Sequence, residues 1–118
     1  MNHNIPLNIS PKELNEILDD NTSEKPFIVD VREENEIAIA SFPFSVLHLP
    51  LSKAANWSAK IGELLPKDKP IVVVCHAGVR SMNFGIWLLE LGIAKSVLNL
   101  VGGIDAWSTD VDQSVPRY

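Results

Sequence analysis

The chain holds a single cysteine, Cys75, among its 118 residues. One thiol excludes an internal disulfide and leaves no second cysteine to resolve it. No stretch approaches the roughly 20 consecutive apolar residues that a membrane span needs. The opening residues, MNHNIPLNIS, lack the basic region and the sustained apolar run of a signal peptide, so a cytoplasmic protein is expected. Basic residues are outnumbered: 10 Lys and Arg against 15 Asp and Glu give a net charge of −5, which offers nothing to a nucleic acid. One cysteine and 3 scattered histidines do not form a metal-ligand set. The length suits one domain with one core, residues 1–118, and is too short for two.

What the chain does have is concentrated between Ile71 and Asn83, IVVVCHAGVRSMN. Ile71 to Val74 are β-branched throughout, which suits a strand buried on both faces in a parallel sheet. Cys75 then stands at the carboxyl end of that strand, where open α/β sheets bind ligands. From Ser81 onward Met82, Phe84, Ile86, Trp87, Leu88, Leu89 and Leu91 read as a helix apolar nearly all round and closed by Gly92. If His76 to Arg80 curl around the sulfur, with Gly78 free to take positive φ, successive N–H groups form a nest for an anion. The following helix dipole and the Arg80 guanidinium add positive potential, and a thiolate at neutral pH is expected. His76 reads as a solvated side chain, because the nest ionises the cysteine without a base. Arg80 can contact substrate, pair with an acidic residue beneath the loop, or do both.

Elsewhere, strand and helix signals alternate. Ile5 to Ile9 predict a first strand, and Ser10-Pro11-Lys12-Glu13 is a capping box with proline at the first helical position, opening a helix with Leu14, Ile17 and Leu18 inward. After a polar turn over Asp19 to Pro26, the strand Phe27 to Val29 delivers Asp30-Val31-Arg32-Glu33. A buried Asp30 needs partners from loop N–H groups or an arginine and reads as a brace behind the site, while Arg32 is expected to pair with Glu33 or Glu36. Glu33 to Ala40 predict a short helix and Val46 to Leu49 a strand, with His48 a strand side chain. Ser52 is expected to cap one helix running to about Leu65, with Ala55, Ile61, Leu64 and Leu65 inward and Trp57 packed. Ser96 to Leu100 predict the last strand, the glycines of Val101-Gly102-Gly103-Ile104-Asp105-Ala106-Trp107 permit a tight turn, and 108–118 reads as a polar arm extended over the surface.

Around Cys75 the sequence resembles the rhodanese superfamily of sulfurtransferases, whose six-residue loop begins with cysteine and runs from a central strand into a helix. Here that loop is CHAGVR, with four residues between Cys75 and Arg80. The similar dual-specificity phosphatases and arsenate reductases place five there, so the shorter loop favours the outer sulfur of a persulfide over a tetrahedral oxyanion. The DVRE segment and Gly-Gly-Ile-x-x-Trp resemble two further elements of that family, in its order. Ser41 to Phe44 depart from the Gly-His-Ile-Pro-Gly-Ala usual before the third strand; the histidine is missing, and Phe42 or Phe44 is expected as an apolar wall near the site.

The resemblance implies an α/β fold, a five-stranded, mainly parallel sheet with helices on both faces, which the alternation of signals supports. It implies that Cys75 is the nucleophile, that His76, Ala77, Gly78, Val79, Arg80 and Ser81 cradle the substrate, and that Asp30 and Arg32 stand behind them. It further implies a thiosulfate-type donor, an acceptor such as cyanide, a small thiol or a protein thiol, a covalent persulfide on Cys75, and no metal or cofactor. With no resolving thiol, sulfur on Cys75 can leave only to an outside acceptor. Two other readings stand beside it. One is a sulfur-relay or protein-binding module for cofactor or tRNA thiolation, because Trp107 to Tyr118 resembles the close of rhodanese domains fused to ubiquitin-activating-like enzymes. The other is a thiol phosphatase or arsenate reductase.

Overall fold

The structure, a computed structural model, describes residues 5–118; the first four residues of the leader reading lie outside it. Its centre is β4 (Ile71–Val74), every residue of which is fully buried. Around it lie β1 (Leu7–Ile9), β2 (Phe27–Asp30), β3 (Leu47–His48) and β5 (Val97–Leu100), in the order β1-β5-β4-β2-β3. All four strand pairings are parallel, so the sheet expected to be mainly parallel is parallel throughout. The register sets Asp30 beside Val74 and Asn99 beside Val73, which gathers polar side chains around the exit of β4.

Side chains alternate across β4, as the pleat requires. Ile71, Val73 and Cys75 join Trp57, Ile61, Phe84 and Leu88 on one face; Val72 and Val74 join Leu14, Ile104 and Trp107 on the other. The first layer is built from α3 (Ala54–Trp57), α4 (Ile61–Leu64) and α5 (Val79–Leu91), the second from α1 (Pro11–Asp19) and α6 (Gly103–Asp110), with α2 (Glu34–Ile39) between β2 and β3 in sequence. Helices thus cover both faces, as the alternation of signals implies. The Ser10–Glu13 capping box forms in full, with Glu13 N–H donating to Ser10 Oγ at 3.1 Å and Ser10 N–H donating to Glu13 Oε1 at 2.9 Å.

Several expectations need correction. The first strand begins at Leu7, because Pro6 has no N–H to give the ladder. The helix after the cysteine begins at Val79, and it is not buried all round: Ser81, Phe84, Gly85 and Leu88 form its one buried face, while Leu91 is exposed. No single helix spans 52–65. Leu51–Lys53 and Ser58–Lys60 are 3-10 turns alternating with α3 and α4, and Ser52 caps nothing; its hydroxyl donates to the Glu33 carboxylate. Asn56, Ser58 and Gly62 are poor helix formers, and the tight turns bring Trp57, Ile61 and Leu65 inward while Ala55 stays exposed.

Phe42 and Phe44 form no wall beside the sulfur. They stack on each other at 5.0 Å and pack edge-on to Trp107, at 6.0 and 5.1 Å, in the opposite layer. The closing segment is not a loose arm either. Ser108 to Asp110 complete α6, the buried Ser108 hydroxyl donates to Val115 O, and Val115 is itself buried. A turn stabilised by Val115 N–H to Asp112 O at 3.1 Å folds the remainder back toward the sheet's carboxyl end. Among the described residues, no helix is long and apolar enough to cross a membrane.

Candidate active site

Where β4 ends, the chain must turn at once to start α5, and Gly78 makes the turn with φ 99°, a conformation that disfavours any side chain. This brings two backbone N–H groups onto the Cys75 sulfur: Gly78 at 3.1 Å and Ser81 at 3.4 Å. The Ser81 hydroxyl lies at 3.2 Å from the same atom. The cysteine is 1% exposed and Ser81 fully buried, so these contacts act away from bulk water, where donors to a sulfur anion count most. Of the six residues expected to cradle substrate, Gly78 and Ser81 touch the sulfur. His76 lies flat against the Tyr118 ring at 4.1 Å, Ala77 and Val79 are exposed, and Arg80 is directed elsewhere.

The loop is held from behind by its carbonyls. Ile104 N–H donates to Cys75 O at 2.9 Å and Asp105 N–H to His76 O at 3.1 Å, so the first turn of α6 spends its free donors on the cysteine loop. Gly103 makes the approach possible. With φ 58°, a Cβ there would stand 2.3 Å from Cys75 O and 2.4 Å from His76 O. The Gly-Gly turn is therefore part of the site's wall.

Arg80 forms a two-pronged pair with Glu36, Nη1 to Oε2 at 2.7 Å and Nη2 to Oε1 at 2.8 Å. The Arg80 bonds hold the Glu36 carboxyl down to about 2 from 4.5, and Glu36 in turn raises Arg80. Of the two roles read for Arg80, the structure contains the pairing one. Tyr118 closes the network: its hydroxyl accepts from Arg32 Nη1 and donates to Glu36 Oε1, each at 3.1 Å. Burial pushes the Tyr118 phenol up.

Arg32 pairs with neither Glu33 nor Glu36, contrary to expectation. It is fully buried and folds back on Asp30, with Nη2 to Oδ2 at 2.8 Å, Nε to both carboxylate oxygens at 3.1 and 3.2 Å, and its own N–H to Oδ1 at 3.0 Å. A charge taken wholly from water needs the nearest carboxylate, and Asp30 is the buried one; Glu33 is engaged by Ser52 and Glu36 by Arg80. Arg32 Nη1 also donates to Ala40 O at 2.8 Å, and His48 Nε2 donates to Arg32 O at 2.6 Å. Of the two kinds of partner expected for a buried Asp30, loop N–H groups or an arginine, the side-chain partner is the arginine Arg32.

Two participants have no counterpart in the sequence reading, Asn99 and Tyr118, while Glu36, read as a partner for Arg32, is bound by Arg80. Asn99 Nδ2 donates to Gly78 O at 3.1 Å, and Asn99 Oδ1 accepts the Ser81 hydroxyl at 2.5 Å. An asparagine inside the apolar run Val97-Leu98-Asn99-Leu100 is itself a signal, because a buried amide has to be matched. Glu36 and Tyr118 stand 44 and 38 residues from Arg80, and nothing local joins them to it. Beside Arg80 opens an apolar cleft of about 330 Å³, lined by Leu51, Ala54, Trp57, Phe84 and Trp87. A larger one of about 520 Å³, between Gly62, Lys67, Gly92 and Lys95, lies away from the sulfur. Among the described residues, no three His, Cys, Asp or Glu side chains gather as a metal-binding group.

An all-parallel sheet with a cysteine loop between its central strand and a helix defines the class of protein. The Rhodanese-like domain model matches residues 10–110, and the chain belongs to the rhodanese-like domain family. It is 46% identical over 92 residues to the rhodanese-like/PpiC domain-containing protein 12, chloroplastic, of Arabidopsis thaliana, covering 77% of this chain and 30% of that protein. It is 30% identical over 120 residues to the adenylyltransferase and sulfurtransferase UBA4 of Candida albicans, covering 93% of this chain and 25% of that protein. The chain therefore spans less than a third of the length of either relative. Among solved structures, a rhodanese-like domain protein of Staphylococcus aureus superposes with a TM-score of 0.70 at 27% identity, covering 95% of this chain and 98% of that one.

Proposed function

We propose that the protein is a sulfurtransferase that carries sulfane sulfur on Cys75. The observation behind this reading is the convergence of the Gly78 and Ser81 N–H groups on one buried cysteine sulfur, in a loop with only four residues between Cys75 and Arg80. Those donors suit a sulfur anion as an oxyanion hole suits an alkoxide. The Cys75 thiolate attacks the outer sulfur of a donor such as thiosulfate. A bond forms between Sγ and that sulfur while the sulfur–sulfonate bond breaks, and sulfite leaves with the electron pair. The persulfide then gives its outer sulfur to an acceptor such as cyanide or a thiol and regenerates the thiolate. The sulfur travels covalently, so the cycle calls for no cofactor, and a lone reduced thiol suits the cytoplasm.

A protein acceptor is the second reading, a relay in place of a small-molecule enzyme. It is favoured by the similarity over 93% of the chain to one segment of a larger adenylyltransferase and sulfurtransferase. Phosphate-ester hydrolysis is disfavoured by the short loop.

The deciding experiment is the intact mass after brief exposure to thiosulfate, beside Cys75→Ser and a portion then treated with cyanide. A gain of one sulfur that is absent from the variant and removed by cyanide is expected. Loading that survives in Cys75→Ser would sink the mechanism. Sulfur taken from thiosulfate and refused by cyanide but accepted by a protein thiol would favour the relay.

A further inference from the structure

Asn99 is 4% exposed, and its amide is satisfied at both ends by the active-site loop. The Gly78 carbonyl can only accept, so the end of the amide facing it must be Nδ2. That fixes Oδ1 toward Ser81, where it accepts the hydroxyl proton. A serine has one such proton. While it points at Asn99, Ser81 Oγ turns a lone pair toward Cys75 Sγ at 3.2 Å. This suits a sulfur that bears a proton or a second bond, since a thiol can donate to the oxygen and a disulfide-type sulfur asks for nothing. A thiolate at the same place needs a donor, and the hydroxyl must then swing from Asn99 to the sulfur.

We propose that Asn99 is a positioning residue that takes up the Ser81 hydroxyl proton whenever Cys75 Sγ is uncharged, and yields it to the sulfur when Sγ is a thiolate. The consequence for turnover rests on the sulfurtransfer reading above. Where Sγ is a thiolate before loading, it draws the hydroxyl. When Sγ bonds to the incoming sulfur and sulfite departs with the electron pair, the negative charge moves to the outer sulfur, Sγ becomes neutral, and the hydroxyl returns to Asn99. No proton enters or leaves. The bond to Asn99 thus favours the loaded form over the free thiolate.

The test is the ultraviolet absorbance of the thiolate against pH, as a difference from Cys75→Ser, for the wild type, Asn99→Ala, Ser81→Ala and the double variant, with no sulfur donor present. None of these substitutions changes a neighbouring charge at this end of the sheet, where Arg80 pairs with Glu36, Arg32 with Asp30 and Asp105 with Arg117, and His76 stacks on Tyr118. Removing Asn99 frees the hydroxyl for the sulfur, so the midpoint should fall by about half to one pH unit, the worth of one ordinary hydrogen bond. Ser81→Ala should raise it, and the double variant should match Ser81→Ala.

A residue that merely braced the loop would give the opposite sign. Losing its hold on Gly78 would slacken the N–H on the sulfur and raise the midpoint whether or not Ser81 is present. That result, or no shift in Asn99→Ala, overturns the proposal. Should the alanine variant not fold, Asn99→Leu fills the same space without polar atoms and carries the same expectation. Because no donor is used, failure to take sulfur from thiosulfate counts against the sulfurtransfer reading and leaves this measurement standing.

Discussion

At the scale of single residues, the charge of Arg80 is the feature most altered by the structure. The sequence leaves Arg80 to contact substrate, to pair with an acidic residue, or both; here Glu36 neutralises it through both prongs, and Tyr118 holds Glu36 in place. Two outcomes follow from Glu36→Gln. The folded carboxyl titrates at about 2 against 4.5 in its ordinary setting, so the ionised form stabilises the fold above about pH 4.5, and that contribution is lost as the pH falls through about 2. The partly buried pair should be worth about 1 kcal/mol. Urea midpoints should therefore separate wild type from variant at pH 6, with the gap closing as the pH falls from 4.5 toward 2; a gap independent of pH would mean that the carboxylate charge is not what stabilises. On the sulfurtransfer reading the variant should also load sulfur at lower thiosulfate, since Arg80 regains an uncompensated charge that can draw an anionic donor, and an unchanged concentration dependence would remove Arg80 from donor binding. An acidic partner was legible as one role of Arg80, but not which residue supplies it. Cys75 and the nest donors lie within seven residues, whereas Glu36 and Arg80 stand 44 apart, and only the completed sheet brings them together.

Among the elements, those with strong local signals formed as read. The capping box of α1 satisfies its own donors within four residues, and the β-branched run of β4 fits only a strand covered on both sides. The stretch 51–64 misled because its apolar residues repeat at helical spacing while Asn56, Ser58 and Gly62 weaken the helix, and 3-10 turns resolve that conflict. The Gly-Gly turn was legible as a turn, but its role as a wall against the cysteine loop needed the fold. That role is testable at Gly103. A methyl group there meets two backbone carbonyls closer than 2.5 Å, and backbone cannot step aside as a flexible side chain would. With positive φ adding strain, Gly103→Ala should cost about 2–4 kcal/mol and break the Ile104 and Asp105 N–H bonds that position the loop. Gly62 makes the control, because a Cβ there meets nothing within 4 Å and its φ is not in the left-handed region, so Gly62→Ala should be neutral or stabilising. Chemical denaturation of the two variants decides it: equal stability would show that α6 can retreat from the loop without loss.

Across the whole molecule, the layered α/β plan was readable from alternating strand and helix signals, but the strand order was not, because a short strand records its hydrophobicity and not its neighbour. The closing segment shows the same limit. Its polar composition suggests a surface arm, yet buried Ser108 and Val115 tie it down and Tyr118 returns to the site. Arg32 is where these distant parts meet: Asp30 on β2, Ala40 after α2, His48 on β3 and Tyr118 near the end of the chain all bond to it. A fully buried guanidinium is tolerable only while its carboxylate is present, so Asp30→Asn should cost about 3–5 kcal/mol by stranding the charge. Against the roughly 5–15 kcal/mol typical of a domain, that is a large share. Replacing both partners, as Asp30→Leu with Arg32→Met, should recover much of the loss, because no unpaired charge then remains. Tyr118→Phe keeps the stack on His76 and removes two hydrogen bonds at a partly exposed hydroxyl, for about 1 kcal/mol. Denaturation free energies should thus fall in the order wild type, Tyr118→Phe, Asp30→Asn, with the double variant above Asp30→Asn. If Asp30→Asn proves no worse than Tyr118→Phe, the Arg32 charge reaches water after all, and the hub is held by packing in place of the ion pair.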